Sequence, residues 1–139
     1  MAEALSVGIG IVSPAEIDRI NILQATRSAM LAAVQQLSPQ PNYLLIDGIS
    51  TIDGAIPQKT IIKGDSLSLS IASASIIAKV TRDRLMIEMD SKYPGYGFAG
   101  HKGYGSAAHM DAIRRLGPSP IHRLTFGGVK EYVSRQITI

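Results

Sequence analysis

Two aspartates stand out by what precedes them. Asp47 directly follows the apolar run Tyr43-Leu44-Leu45-Ile46 and is itself followed by Gly48. A continuous apolar run of this kind fits a strand buried on both faces, and ligands of open α/β sheets bind outside the carboxyl ends of such strands. A charge left unpaired in an apolar interior is costly, so Asp47 must reach water, a hydrogen-bond cluster or a cation. An ordinary Asp-Gly turn is the alternative.

Asp83 sits within a long helical pattern. Residues four, seven and eleven positions back on a helix share its face; here they are Lys79, Ile76 and Ala72, with Ile87 four ahead. The spacing predicts that Asp83 projects from an apolar stripe towards a sheet. A Lys79–Asp83 ion pair on the same helix is the alternative. If Asp47 and Asp83 converge, their charges repel and a divalent cation relieves the repulsion. Carboxylate oxygens without cysteine or histidine suit Mg2+ or Mn2+, and such ions activate water and stabilise the leaving oxygen in phosphodiester cleavage. A two-metal site needs further carboxylates. Asp65, Asp53 and Glu88 are candidates, each equally readable as a turn or surface residue.

His101-Lys102-Gly103-Tyr104-Gly105 places a cation and an aromatic ring on a glycine-rich loop. Backbone amides freed by glycine, with one lysine, can hold a phosphate, and a loop tyrosine can stack on a base or sugar. Alternatively Tyr93, Tyr96 and Tyr104 simply cover the edge of a core. Lys63, Lys79, Arg82, Arg84, Lys102, Arg114, Arg115 and Arg123 spread positive charge over the second half of the chain. They form either a duplex-binding face or ordinary solvated charge.

The elements that must position these groups follow from pattern. Leu5 to Val12 reads as a strand. Ser13-Pro14-Ala15-Glu16 has a capping serine, a first-turn proline and a capping-box glutamate, which predicts one helix to about Leu37, stopped by Pro39 and Pro41. Tyr43–Ile46 and Thr60–Lys63 read as strands, Ser68 to Lys92 as a long helix and Pro94 to Gly105 as a loop. Ser106 caps a helix from Ala107 to Leu116, ended by Gly117-Pro118. Strands and helices in this order indicate an α/β domain. No internal repeat or linker is evident, so residues 1–139 are expected to form a single unit.

Composition bounds the partners. The chain has 139 residues, 45% hydrophobic and 18% charged, which is globular. It has no cysteine and hence no disulfide or thiolate metal site; a reducing cytoplasm suits it. Met1-Ala2-Glu3-Ala4-Leu5 lacks the basic region of a secretory signal. A net charge of +3 is compatible with an acidic partner such as nucleic acid.

Taken together, several ordered motifs resemble the ribonuclease HII family. They are Leu45-Ile46-Asp47-Gly48, Ile62-Lys63-Gly64-Asp65, the segment from Ile71 through Lys79-Val80-Thr81-Arg82-Asp83-Arg84, Tyr93-Pro94-Gly95-Tyr96-Gly97-Phe98, His101–Gly105 and Gly117-Pro118-Ser119-Pro120-Ile121-His122-Arg123. Glu16 to Leu23 also fits, so the resemblance covers nearly the whole chain.

The resemblance implies a ribonuclease H-like α/β fold, a mixed sheet flanked by helices, present here as a partial domain without its first two strands. It implies endonucleolytic cleavage of the RNA strand in RNA–DNA hybrids, including ribonucleotides embedded in duplex DNA, with Mg2+ or Mn2+ at four carboxylates. Two of those match Asp47 and Asp83. It further implies that Tyr104 packs against a sugar beside the cleaved linkage. Lys102 and Gly103, with Lys63, Lys79 and Arg82, are the corresponding candidates for substrate contacts. The family's opening aspartate-glutamate strand, its glycine-arginine-glycine turn and a later aspartate-serine-lysine segment do not occur in this sequence. The chain by itself is therefore expected to be inactive or very weak, or to act as a hybrid-binding fragment without catalysis. The complete protein is expected to be monomeric, and this chain to self-associate through exposed strand edges.

Overall fold

The computed structural model describes residues 4–133. Met1 to Glu3, read above as unlike a secretory signal, lie outside them. The elements are α1 (Pro14–Ile20), α2 (Ile22–Gln35), β1 (Leu44–Asp47), β2 (Gln58–Ile61), α3 (Gly64–Leu67), α4 (Leu69–Lys92), α5 (Phe98–His101), α6 (Ala107–Leu116) and α7 (Lys130–Val133). The described residues fall into two compact units: residues 4–12 with 20–78, and residues 13–19 with 79–133.

In the first unit, β1 and β2 form a two-stranded parallel sheet in which Leu44 faces Gln58 and Asp47 faces Ile61. The ladder is extended by Leu44 N–H to Pro57 O at 2.9 Å and Gly48 N–H to Ile61 O at 3.0 Å. The connection between the strands contains no helix. It is held by the Gln58 carboxamide, which donates to Ile52 O at 2.6 Å and accepts from Ile52 N–H at 2.9 Å. Ile46 and Ile52, Ala25 of α2 and Ile71 of α4 are the buried hydrophobic residues of this unit. Double-sided burial of β1 is not realised: Leu45 is 43% exposed, because only the face carrying Ile46 is covered.

Three expectations for this unit are corrected. The helix expected from Pro14 to Leu37 is broken at Asn21, whose backbone is left-handed (φ 73°) and whose side chain accepts from Gln24 N–H, starting α2 afresh. An asparagine tolerates this conformation and caps well. The second strand lies two residues earlier than Thr60–Lys63, because Lys63 is left-handed (φ 54°) and leads directly into α3. Leu5–Val12 joins no sheet, and Leu5 is a bend. Its partner is a side chain: the Gln36 carboxamide accepts from Ile9 N–H at 3.0 Å and donates to Ile9 O at 2.7 Å, as a neighbouring strand would.

Gly8 and Gly10 explain how that segment reaches α2. A Cβ on Gly8 would stand 2.0 Å from Ala33 O, and one on Gly10 1.8 Å from Ala29 O. Two residues of extended chain rise about 6.6 Å and four residues of helix about 6 Å. The glycine pair therefore matches the alanine pair step for step, running antiparallel to the helix. Leu5, Ile11, Ile49 and Leu69 of this unit remain largely exposed.

In the second unit, Phe98, Ala112 and Tyr96 form the core, with Met86, Met89, Tyr93 and Ile121 packed against it. Ile113 and Val129 are also buried. Tyr96 and Phe98 stack with centroids 5.3 Å apart, and the Tyr96 hydroxyl donates to Gly117 O at 2.7 Å. Burying Phe98 alone contributes about 2–3 kcal/mol. The face of α4 that meets this core carries Met86 and Met89, and Tyr93 just beyond the helix joins them. The expected stripe through Ile76, Lys79, Asp83 and Ile87 is not buried, since Ile76 and Ile87 are exposed. The segment Pro94–Gly105 contains a single helical turn, α5. Ser106 caps α6 as its pattern predicts, accepting from His109 N–H at 3.2 Å. Ser13 likewise accepts from Glu16 N–H at 3.2 Å at the start of α1. Asp18 of α1 accepts from Leu124 N–H (2.8 Å), Thr125 N–H (3.2 Å) and the Thr125 hydroxyl (2.8 Å), which ties α1 to the turn after His122.

Candidate active site

Asp47 closes β1 in the first unit, and its side chain is exposed to solvent. Its Oδ1 accepts from Gly64 N–H at 2.9 Å. That approach needs little bulk at residue 64, where a Cβ would stand 2.6 Å from Ile71 Cδ1 and 3.4 Å from Asp47 Oδ1. The carboxylate is thus oriented by backbone and engaged by no cation among the described residues. It borders a groove in which α2 contributes Leu23, Thr26, Arg27 and Met30. Sequence reading missed Arg27. Its guanidinium donates to Thr51 O and Asp53 Oδ1, both at 3.0 Å, and so stands fixed in the same groove as Asp47. Nothing in its local sequence marks it, since it is one cation on an amphipathic helix. Asp53, a candidate extra ligand, serves that ion pair instead, while Asp65 and Glu88 are exposed. Lys63 also belongs to this unit, exposed at the start of α3.

Asp83 lies in the second unit on α4, half-buried. The Lys79–Asp83 ion pair is not formed, and Asp83 accepts no hydrogen bond from a described side chain or loop amide. Lys79, one turn earlier on α4, is exposed.

Four of the expected substrate-contact residues meet in the second unit. Lys102 is left-handed (φ 54°) at the end of α5 and Gly103 follows at φ 85°. This fold of the loop leaves the Tyr104 ring 58% exposed. The Arg82 guanidinium lies over that ring, 5.5 Å from its centroid, a cation–π distance. Its Nε makes a long contact to Lys102 O at 3.4 Å. Gly103 leaves room for it, because a Cβ there would stand 3.1 Å from Arg82 Nη2. Arg82, Lys102, Gly103 and Tyr104 thus form one cationic and aromatic platform, with Arg82 and Tyr104 exposed and Lys102 and Gly103 half-buried. Other basic residues are committed elsewhere: Arg114 and Arg115 both pair with Asp111 (2.7 and 2.8 Å), and Arg123 lies over Phe126 at 3.8 Å. The guanidiniums of Arg114 and Arg115 hold the Asp111 carboxyl below its usual range.

Sequence reading gave no role to three histidines of this unit, two of which, His101 and His122, it quoted only as parts of motifs. His101 and His109 stack with centroids 4.0 Å apart, and His109 Nε2 lies 2.8 Å from His122 Nε2. His109 and His122 are buried. Burial, with repulsion from neighbouring imidazoles, pushes His122 down to about 4. Burial also lowers His109, outweighing the opposing hydrogen bond at Tyr104.

The donor chemistry suits a hard divalent cation, since Asp47 and Asp83 are carboxylates that pair with no base among the described residues. The number of donors falls short: no group of three or more histidine, aspartate or glutamate side chains among the described residues could hold a metal ion.

Comparison with known proteins agrees with the motifs. The family model described as Ribonuclease HII matches residues 3–129. The chain is 72% identical over 134 residues to a ribonuclease HII of Pelobacter propionicus, covering 96% of this chain and 61% of that protein. It is 68% identical over 131 residues to that of Geobacter metallireducens, covering 94% and 62%. It therefore spans about three-fifths of the length of these relatives. The crystal structure of the ribonuclease H2 from Pyrococcus horikoshii OT3 superimposes with a TM-score of 0.71 at 23% identity, over 92% of this chain and 68% of that one. This establishes a shared α/β, ribonuclease H-like fold. With a family match over nearly its whole length and relatives this similar, the chain belongs to the ribonuclease HII family.

Proposed function

We propose that this chain carries part of the active site of an endoribonuclease that cuts the RNA strand of RNA–DNA hybrids, including ribonucleotides embedded in duplex DNA. The observation that carries the reading is the platform of Arg82, Lys102, Gly103 and Tyr104, which offers an exposed ring, two cations and a glycine-freed backbone. Tyr104 would pack against the sugar beside the scissile phosphate. Lys102 and Arg82 would neutralise phosphates, with Lys79 and Lys63 as further backbone contacts. Asp47, oriented by Gly64 N–H, and Asp83 would supply carboxylate oxygens to Mg2+ or Mn2+. A metal so held supplies Lewis acidity and an activated water. Further carboxylates are needed, and the family pattern implies that they come from an aspartate-glutamate strand. Residues 1–139 are read as one partial ribonuclease H-like domain of a cytoplasmic protein; no helix among the described residues is long and apolar enough to cross a membrane. Exposed Leu5, Ile11, Ile49 and Leu69 support self-association of this chain, whereas the complete protein would be a monomer.

A second reading, hybrid binding without cleavage, is favoured by the shortage of converging ligands among the described residues. One assay separates the two. Labelled hybrid is incubated with Mg2+ and the purified chain, alone and with the remaining two-fifths of the Pelobacter relative as a separate polypeptide. The expected result is salt-sensitive binding without cutting by the chain alone, and cutting to 3′-hydroxyl and 5′-phosphate ends once the second polypeptide is present. Asp47→Asn should abolish the restored cutting without unfolding, because the amide oxygen still accepts from Gly64 N–H. Robust Mg2+-dependent cutting by the chain alone would refute the partial-site reading. Indifference to every nucleic acid, with no restoration, would refute both.

A further inference from the structure

The three histidines behind Tyr104 have a hydrogen-bond order that fixes every ring proton. Ser119 N–H donates to His122 Nδ1 at 2.8 Å. A backbone amide can only donate, so Nδ1 of His122 carries the lone pair and its proton is on Nε2. That Nε2–H faces His109 Nε2 at 2.8 Å, which must accept. The proton of His109 is then on Nδ1, and Nδ1 indeed lies 2.8 Å from Tyr104 O, which can only accept. Donation therefore runs in one direction, from Ser119 through His122 and His109 to the carbonyl of Tyr104.

His101 makes the matching brace on the other side of the loop. Its Nδ1 accepts from Gly103 N–H at 3.0 Å, and its Nε2–H donates to Tyr96 O at 2.7 Å. All six ring nitrogens are used when all three rings are neutral. A further proton on His109 Nε2 would oppose the His122 Nε2–H, one on His122 Nδ1 would oppose Ser119 N–H, and one on His101 Nδ1 would oppose Gly103 N–H. Among the described residues, Ser119 Oγ, 2.9 Å from His122 Nδ1, is the oxygen within hydrogen-bond reach of these positions. The groups around the rings are Phe98 of α5, in contact with all three, and Tyr96, whose ring centroid is 5.2 Å from that of His122. No described carboxylate forms an ion pair or hydrogen bond with any of the imidazoles.

We propose that His109 and His122 are positioning residues for Tyr104: a tautomer-locked relay, together with Ser106 N–H at 2.8 Å, holds the Tyr104 carbonyl, and uptake of one proton breaks a link of the relay that fixes the His109 ring and so shifts the loop it braces. The burial that depresses His122 and His109 keeps the relay intact at neutral pH and sets its failure in mild acid. Its consequence for activity rests on the reading that Tyr104 meets the substrate. The relay itself does not.

The test uses the whole 139-residue chain. Long-range 15N–1H spectra report the tautomer of each imidazole, and amide shifts of Gly103, Tyr104 and Ser106 report the loop, from about pH 7.5 down to about pH 4. At neutral pH His109 should be the Nδ1–H tautomer, while His101 and His122 should be Nε2–H. The three amides should move together, with the midpoint of the His109–His122 pair. His122→Phe should release the His109 tautomer and shift the loop amides at neutral pH. His122→Gln, whose carboxamide can accept from Ser119 and donate to His109 without titrating, should restore them and flatten their response to acid. If His122→Phe fails to fold, the tautomers of the parent chain and the pH response of His122→Gln still decide. An Nε2–H tautomer at His109 would overturn the proposal, as would loop amides indifferent to the titration of the pair. Hybrid binding by fluorescence anisotropy is read in parallel. A chain that never binds hybrid fails the reading of Tyr104 as a substrate contact, while the relay stands or falls on the spectra.

Discussion

Replacing Gly10 by alanine tests the account of the extended segment most sharply. The added methyl would begin 1.8 Å from Ala29 O, 2.6 Å from Ala29 C and 3.1 Å from Ala29 Cα. All three are backbone atoms in the middle of α2, so no side-chain rotation relieves the contact. The segment must retreat by more than about 1 Å to reach ordinary van der Waals separation. Ile9 is the adjacent residue, and its bonds to the Gln36 carboxamide, at 3.0 and 2.7 Å, do not survive such a retreat. Each is worth about 0.5–1.5 kcal/mol net, and overpacking typically costs about 1–3 kcal/mol. Because a retreating segment relieves part of the overpacking, the expected loss is about 2–4 kcal/mol. Urea denaturation followed by far-UV circular dichroism reads it as a lower midpoint at unchanged slope. Gly100→Ala is the control, since a methyl there meets no atom within 4 Å. It should be neutral or slightly stabilising. A cycle with Gln36→Ala adds a second criterion: both changes remove the same pair of hydrogen bonds, so their costs should sum to less than additive. Gly10→Ala within about 0.5 kcal/mol of the parent chain, or full additivity with Gln36→Ala, would refute the close-packed account.

Other outcomes follow from the second unit. His122 has a folded pKa of about 4, below the ordinary value of 6.5, so the unfolded chain binds more protons between those values. Stability from this group is complete above about pH 6.5 and is lost as pH falls towards 4. The full shift corresponds to about 3 kcal/mol, and residual solvent screening brings the expected loss nearer 2 kcal/mol, read as the difference in urea midpoint between the parent and His122→Gln across that range. Burial acts to raise the Asp18 pKa, but the bonds from Leu124 and Thr125, with Arg123 nearby, lower it overall. Its contribution is therefore present above the ordinary carboxylate value and lost as pH falls through the lowered one. Asp18→Ala should cost about 1 kcal/mol at neutral pH by chemical denaturation, with partial recovery in Asp18→Asn. Tyr104→Ala should leave stability nearly unchanged, because the ring is largely exposed. It should weaken hybrid binding roughly ten- to a hundredfold by anisotropy, the scale of one lost stacking contact.

Local pattern was sufficient wherever short-range forces decide. The Ser13 and Ser106 caps, the span of α4 and the end of α6 at Gly117 are settled by hydrogen bonds between residues a turn apart, and each was legible. The ordered motifs also carried the family, since several short runs at fixed spacing constrain a chain far more than any one of them. Asp47 at the end of a strand was legible for the same reason.

What the tertiary structure decided were the partners of groups distant in the chain. Periodicity put Asp83 on a buried stripe, but the helix turns Met86 and Met89 to the core, because Phe98 and Tyr96 lie there and no pattern within α4 encodes that. The alternation of Gly8 and Gly10 was read as part of a strand, whereas the glycines serve a close approach to Ala29 and Ala33, and Gln36 stands in for the neighbouring strand. Arg27 beside Asp47, and the three imidazoles behind Tyr104, gain their chemistry from neighbours in space. Sequence fixes which groups a chain owns and their short-range geometry. Burial, proton positions and the company a charge keeps are set only when distant segments pack.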